Sequence, residues 1–380
     1  MKISRNYELG RFFNFENAKD MPVHRWFYYK ESFSPQLVEM LVNDYKKENK
    51  RKKTNSLVVL DPFMGCGTTL LTCNEIGIES YGLDVSYLSY FVTRVKTQVY
   101  DDNDVNEFEN FVNNLNSCEK EEAIEFSSEL FEFREIMPRR NLSRFFKMRS
   151  FIESIENEKV KDLALICLIS ILPFITFIKK DGGVLKIVKK PVADIYKAYR
   201  KKAKTIMKDL KETKAKENKA KIFLQDARHM SFKEETFDFV ITSPPYLNNV
   251  DYSKVYSIEL ATLTMDENES KNLRKRLFPS FITGKGSYGT YKEMIANAYF
   301  EATKTFFDKA YMCLKEGGKI YYNVSNAMIN KNYIKVDEEV AKIMEETGFF
   351  DVEIIIGLIR RTRIEKFSYD VRESIVVGKK

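Results

Sequence analysis

Short apolar runs separated by longer amphipathic stretches set the rhythm of this chain. Leu57-Val58-Val59-Leu60 is continuously apolar with a β-branched pair, the pattern of a central parallel strand covered on both faces. Leu70, Leu71, Cys73 and Ile76 then fall on one side of a helix that stops at Gly77. Glu79 to Leu83 predicts a second strand, ending in Asp84, and a helix covers about 86–98. Upstream, Ser34 as N-cap and Pro35 at the first helical position start a helix that runs to about Asn49. The alternation returns late in the chain. Strands are expected at Ile222-Phe223-Leu224 and at Phe237 to Thr242. A long helix at about 291–314 leads through Gly317-Gly318 into a strand from Lys319 to Val324. A helix at 336–347 and strands at about 351–359 and 373–378 complete the pattern. Strands alternating with helices predict an α/β fold, a doubly wound sheet of seven strands with helices on both faces.

Residues 100–221 interrupt this rhythm and are expected to form a helix-rich insertion between two parts of one α/β domain, 1–99 and 222–380. Leu163 to Ile178 is the most hydrophobic segment, but it is short for a membrane span and contains Pro173, so it predicts a buried helix. Ile195, Tyr199, Ile206 and Leu210 mark one side of a helix within 194–217. From Asp101 to Glu135 there are twelve acidic residues against two basic; from Lys179 to Lys221 there are sixteen Lys/Arg against five acidic. Only the second half suits an anionic partner.

The whole chain carries a net charge of +7, which is compatible with such a partner without requiring one. Five cysteines are scattered with no CxxC pair, and there are two histidines, so neither a disulfide framework nor a metal site is expected. The polar N-terminus lacks an apolar signal core; a cytoplasmic protein with no membrane segment is expected.

Candidate chemistry concentrates at strand ends. Asp61-Pro62-Phe63-Met64-Gly65-Cys66-Gly67-Thr68-Thr69 links the first strand to its helix. Gly65 and Gly67 let the backbone turn sharply and approach a ligand, and the helix N-terminus behind them offers free N–H groups. Asp84 lies 19 residues after Gly65, the spacing at which a carboxylate takes the hydroxyls of an adenosine ribose. No Gly-Lys-Ser/Thr follows, and Thr68-Thr69 stand where a dinucleotide fingerprint has its third glycine, so an adenosine compound other than a dinucleotide is expected. Asp226 ends the third strand and suits an adenine amine, or is an exposed strand-end acid. Thr242-Ser243-Pro244-Pro245-Tyr246 ends the fourth strand. Two prolines terminate any ladder and leave their carbonyls free, with a hydroxyl before and an aromatic ring after. That arrangement suits a planar group bearing an NH₂, and equally a stiff strand-ending turn. Because strand ends share one crevice in an open α/β sheet, Asp61, Asp84, Asp226 and Ser243 to Tyr246 are expected to converge.

Asp-Pro-Phe-x-Gly-x-Gly-Thr-Thr together with Thr-Ser-Pro-Pro-Tyr resembles the S-adenosylmethionine-dependent amino-methyltransferases of DNA, the N4-cytosine and N6-adenine enzymes of restriction–modification systems. The resemblance covers about 20–99 and 222–380 and implies a Rossmann-like methyltransferase sheet. It implies S-adenosylmethionine as cofactor, with Asp61, Gly65 and Gly67 at its methionine part, Asp84 at the ribose and Asp226 at the adenine. Phe63 and Thr68 of the glycine loop join the cofactor contacts, and so does Trp26, since His24 to Val42 resembles the family's helix that packs on the methionine end. Ser243 and the Pro244 carbonyl would hold the target amine, next to Pro245, and Tyr246 would stack on the base. The Ser-Pro-Pro-Tyr form is similar to the N4-cytosine enzymes, with N6-adenine as the alternative. RNA as substrate, or a non-catalytic nucleic-acid-binding role, would use the same fold. Double-stranded DNA is the implied partner, in a prokaryotic cytoplasm, and a cognate restriction endonuclease is a second one.

The insertion then becomes the candidate recognition region. Lys179, Lys180 and Lys186, around Gly182-Gly183, are placed to follow phosphates. A run of lysines is as often a solvated helix face, above all over 197–221. Arg139, Arg140, Arg144 and Arg149 are better suited to reading bases. Arg361, in Arg360-Arg361-Thr362-Arg363, borders the target strand or sits in a hairpin tip. Asn248, Asn249, Asp251 and Tyr252 either line the base pocket or start a helix.

Overall fold

A short strand, β1 (Lys2–Arg5), and a turn of helix, α1 (Tyr7–Gly10), precede α2 (Pro35–Glu48) in the computed structural model. The structure describes the chain apart from residues 49–55, 117–124, 214–216, 249, 282–289, 330–331 and 365–366. The first α/β unit follows as β2 (Val58–Asp61), α3 (Thr68–Glu75), β3 (Glu79–Asp84) and α4 (Tyr87–Thr97). The interposed segment contributes α5 (Asp102–Asn113), α6 (Phe133–Ile136), α7 (Arg139–Glu153) and α8 (Glu158–Ile175). A hairpin of β4 (Ile178–Asp181) and β5 (Val184–Ile187) and then α9 (Ile195–Thr213) complete it. The alternation resumes with β6 (Ala220–Leu224) and β7 (Phe237–Thr242), then α10 (Tyr252–Val255), α11 (Ser257–Thr264), α12 (Glu269–Arg274) and α13 (Thr290–Cys313). The last elements are β8 (Leu314–Ser325), the small pair β9 (Ala327–Ile329) and β10 (Asn332–Ile334), α14 (Val336–Thr347), β11 (Phe350–Ile364) and β12 (Phe367–Lys379).

Among the described residues the main sheet has eight strands, in the order β1-β11-β12-β8-β7-β2-β3-β6. The seven expected strands are all present, and the structure adds β1, which pairs parallel with β11 at the edge. Its side chains are mostly exposed, so it has no apolar alternation by which to be recognised. β2 pairs parallel with β3 on one side and with β7 on the other. This reversal of direction opens a crevice at the carboxyl ends of the central strands. Among the described residues β12 alone runs antiparallel within the sheet, between β8 and β11.

Neighbouring residues on each central strand enter different cores because side chains alternate across a sheet. Val59, Phe239 and Tyr321 pack under α2 with Leu37, Leu41 and Tyr45. Leu60, Val240 and Tyr322 pack on the other face with Phe306 and Phe307 of α13 and Val340 of α14. Continuous apolar runs are therefore what a sheet covered on both faces requires.

The third core explains why residues 100–221 hold together. Between Leu163 and Ile175, α8 is buried almost all round, against Phe91 and Val95 of α4, Phe108 of α5, Phe145 of α7 and Tyr199 of α9. A helix apolar on every side belongs inside, as its composition suggested. Pro173 falls in its last turn and Ile178 already belongs to β4. Among the described residues no helix is long and apolar enough to cross a membrane.

Polar ties bind the insertion to the N-terminal segment. The Asp209 carboxylate of α9 is fully buried and accepts from Val23 N at 3.1 Å, Arg25 Nε at 3.0 Å and Trp26 Nε1 at 3.0 Å. Arg94 Nη2 of α4 donates to Asp162 Oδ1 of α8 at 2.7 Å. Removing the acceptor from a buried charged pair strands its donors, at a cost of about 3–5 kcal/mol. Asp209→Ala is expected to lower the unfolding free energy by that amount in denaturant titration, whereas a loss below ~1 kcal/mol would show that the tie carries little stability.

Candidate active site

At the end of β2 the chain must leave a buried strand and start a helix within seven residues. Asp61, 1% exposed, organises that turn. Its Oδ2 accepts from Thr69 Oγ1 of α3 at 2.6 Å, and its Oδ1 accepts from Thr242 Oγ1 at the end of β7 at 2.8 Å and from Phe63 N at 3.2 Å. One carboxylate thus joins two strand ends and a helix. Gly65 and Gly67 adopt φ of +51° and +79°. A Cβ at Gly67 would come within 2.7 Å of Thr93, so glycine is required there for space as well as conformation. A Cβ at Gly65 would meet only the Tyr29 ring, at 3.6 Å. Gly65 N donates to Asp84 Oδ2 at 3.1 Å and Ser86 N to Asp84 Oδ1 at 2.8 Å. Burial pushes both Asp61 and Asp84 up to about 6, against the hydrogen bonds that favour their charged forms.

The opposite wall begins where β7 ends. Pro244 and Pro245 carry the chain out of the ladder, and the Tyr246 hydroxyl donates to Glu373 Oε1 at 2.9 Å and accepts from Asn323 Nδ2 at 2.9 Å. Ser243 Oγ lies 3.4 Å from the same hydroxyl. Arg360 Nη2 donates to Glu373 Oε2 at 2.9 Å. Burial nevertheless raises the Glu373 carboxyl above its ordinary value. Tyr246 is therefore locked by residues of β8 and β12.

Both walls face a cavity of about 680 Å³. Of the expected cofactor contacts, Asp61, Phe63, Gly65, Asp84 and Asp226 line it, and so do Ser243, Pro244, Pro245 and Tyr246. Three expected contacts do not reach it. Gly67 is the N-cap of α3 and lies behind the loop, and Thr68 is 2% exposed and bonds Ser32 Oγ at 2.8 Å. Trp26, 1% exposed, is turned into the core by Asp209; Tyr28 and Tyr29 of the same segment line the cavity instead. Tyr29 stacks on Tyr256 with ring centroids 4.8 Å apart. Asp226 caps a short 3-10 turn and is gripped by Arg228, whose Nε lies 3.0 Å from each carboxylate oxygen. Burial works to raise its carboxyl, but the Arg228 bonds outweigh it and leave the group below the usual carboxylate range. Asn248 and Tyr252 line the cavity, Asp251 is the N-cap of α10, and Asn249 lies outside the described residues.

The basic candidates divide. Lys179 and Arg139 stand exposed. Lys180 pairs with Glu259 at 2.7 Å, Lys186 with Asp181 at 2.7 Å, Arg140 with Asp194 at 3.4 Å and Arg361 with Asp370 at 3.2 Å. Two arginines expected to read bases serve the fold instead. Arg144 pairs with Asp194, and buried Arg149 donates to the carbonyls of Thr262 and Leu263 at 3.1 and 3.2 Å. Glu373 and Asn323 went unforeseen. The only signal was a polar side chain within each apolar strand, Tyr321-Tyr322-Asn323-Val324 and Glu373-Ser374-Ile375-Val376. Among the described residues no group of three His, Cys, Asp or Glu is placed to hold a metal ion.

Residues 3–91, which include the glycine loop and Asp84, match the family model described as DNA methylase. The chain is 26% identical over 340 residues to Type II methyltransferase M.BsoBI of Geobacillus stearothermophilus, covering 76% of this chain and 62% of that protein. It is likewise 26% identical over 305 residues to Type II methyltransferase M.AvaI of a Nostoc species, covering 72% and 60%. Over these residues the chain is similar to DNA amino-methyltransferases. It spans about three fifths of the length of these curated relatives. A solved S-adenosylmethionine-dependent methyltransferase from Methanosarcina mazei aligns over 88% of this chain and 96% of its own, at 8% identity and a TM-score of 0.31.

The burial of Asp61 has a measurable sign. Its folded value of about 6 lies above the ordinary 3.8, so between these values the folded state holds a proton that the unfolded chain releases. The stability contributed by this group therefore falls as pH rises from about 4 through about 6. Asp61→Asn keeps an acceptor for Thr242 and has no charge to bury. It is expected to exceed the wild type in unfolding free energy by ~1–3 kcal/mol at pH 7, the gap closing towards pH 4. A gap independent of pH in denaturant titrations would refute the assignment.

Proposed function

We propose that this chain transfers a methyl group from S-adenosylmethionine to the exocyclic amine of a base flipped out of duplex DNA, and that the base is cytosine, modified at N4. The observation that carries this reading is the sharing of one cavity by the Gly65–Asp84 corner and the Ser243-Pro244-Pro245-Tyr246 corner. The residues present fit the cofactor. Asp84 offers a carboxylate to two ribose hydroxyls, the backbone of Gly65 faces the cavity where the methionine part would lie, and Phe63 and Phe278, packed edge to face, give an apolar wall for the adenine. Asp226, already bonded by Arg228, retains acceptor capacity for the adenine amine. When bound, S-adenosylmethionine supplies a methyl group on a positively charged sulfur.

An exocyclic amine is a poor nucleophile because its lone pair is delocalised into the ring. Ser243 Oγ and the Pro244 carbonyl accept its two hydrogens and favour the pyramidal form, whose lone pair is exposed. Glu373 and Asn323 fix the Tyr246 ring as a platform for the base, so that positioning and electrostatics carry the rate. The new N–C bond would form at the expense of the sulfur–methyl bond, whose electron pair stays on the sulfur as a neutral thioether, and the amine's surplus proton would pass to water. The cavity holds one base only after it leaves the stack, at a cost of roughly a few kcal/mol. Serine at 243, by its similarity to the N4-cytosine enzymes, favours cytosine over the N6-adenine alternative. The Type II names of the relatives favour a restriction–modification setting with a cognate endonuclease as partner.

Incubating the chain with DNA and labelled S-adenosylmethionine, then digesting to nucleosides, is expected to give N4-methylcytosine; N6-methyladenine alone would overturn the choice of base. Ser243→Ala is expected to lower kcat by about 100-fold while leaving S-adenosylmethionine affinity within about twofold of wild type. Unchanged kcat would remove Ser243 from the mechanism.

A further inference from the structure

Of the described residues between 100 and 221, only Gly182 and Gly183, the turn of the β4–β5 hairpin, line the cavity. The hairpin register separates two faces. Ile178 pairs with Ile187 and Lys180 with Leu185 on one; Lys179 pairs with Lys186 and Asp181 with Val184 on the other. The first face is anchored. Ile178 and Leu185 are buried, and Lys180 pairs with Glu259 while lying 3.7 Å from the centre of the Tyr256 ring. A Cβ on Gly183 would fall within 2.9 Å of Val250, so the turn is seated hard against the segment that follows Tyr246.

The second face is open. Val184 is 56% exposed directly after the turn that lines the cavity. Beyond it, Ile187, the exposed end of the first face, and Val188 are 45% and 37% exposed, and Phe174, at the end of α8, is 64% exposed. Val188 N donates to Phe177 O at 2.8 Å, which keeps this apolar edge in place. Lys179, Lys186 and Lys189 stand exposed beside it. Between residues 178 and 190 there are five lysines and one acid, Asp181, which pairs with Lys186. An apolar tip among lysines matches a duplex: cations meet phosphates, and apolar side chains enter where bases unstack.

We infer that the β4–β5 hairpin is the wedge of this protein: Val184 enters the duplex and fills the gap left by the base that turns into the cavity, while Lys179 and Lys186 hold the flanking phosphates. This rests on the proposed base-flipping reaction and names the element that performs the exchange. A rigid seat and an exposed tip are what a wedge needs, since a flexible hairpin would bend away rather than part a base step.

Val184→Ala, a change at an exposed site, tests it. With the methylated position mapped, methyl transfer is measured on a duplex carrying the matched target and on one with a mismatched base opposite the target. Kcat/KM on the matched duplex is expected to fall about tenfold, and mismatched duplex, in which extrusion costs less, is expected to recover most of that loss. Equal losses on both duplexes, or none on the matched one, would overturn the wedge. Equal losses together with a changed sedimentation coefficient would assign the face to a second copy of the chain instead. Failure of the wild-type protein to methylate any DNA would sink the proposed reaction itself, a result distinct from either.

Discussion

The carboxylate of Asp61 is the constraint on which the cleft depends. The two walls of the cavity come from chain segments about 180 residues apart, and Asp61 bonds the helix after one wall and the strand before the other. Taking a carboxylate out of water is costly, and it is kept there only because two hydroxyls and an amide meet it. The arrangement exchanges some stability for a fixed distance between the Gly65 turn and the Ser243 corner. Sites that position two reactants gain from such fixity, because small displacements of the reacting atoms are costly in rate.

Much of the sheet was legible in the sequence. The apolar runs at 57–60 and 237–242 became β2 and β7, and the helix expected at 336–347 is α14. Those signals are strong because burial on both faces leaves no room for polar positions. The glycine loop and the strand-end acids were legible too, since topology alone brings the carboxyl ends of the central strands together. What escaped were features fixed by partners remote in sequence. Trp26 looks like a cofactor ring beside Arg25, yet the acceptor that turns it inwards is Asp209, 183 residues away. Arg144 and Arg149 carry the right chemistry for bases, but Asp194 and the carbonyls of α11 claim them. β1 escaped for the opposite reason, because an edge strand facing water needs no apolar pattern.

The inserted residues are neither a loose appendage nor a uniformly basic surface. Their helices share one core with α4 and the N-terminal segment. Part of their charge is used in pairs, within the insertion as in Lys159–Asp104 and with α4 as in Arg94–Asp162. The Lys180–Tyr256–Tyr29 stack then connects the hairpin to the glycine turn through three packed groups. Movement of the hairpin would be felt at the Gly65 side of the cavity as well as at the Tyr246 side.

The antiparallel strand β12 has a consequence for how the molecule is made. Glu373, which holds the Tyr246 hydroxyl, lies on a strand that slots between β8 and β11, both of which precede it in the chain. During synthesis the glycine turn and then the Pro-Pro corner emerge first, while the residue that steadies the ring is translated more than a hundred positions after the tyrosine. Pairings of such long sequence separation form late, because their loops must close first. A nascent chain stalled before β12 would therefore hold a cleft with a mobile tyrosine, and the competent geometry appears only when the sheet has closed around its latecomer.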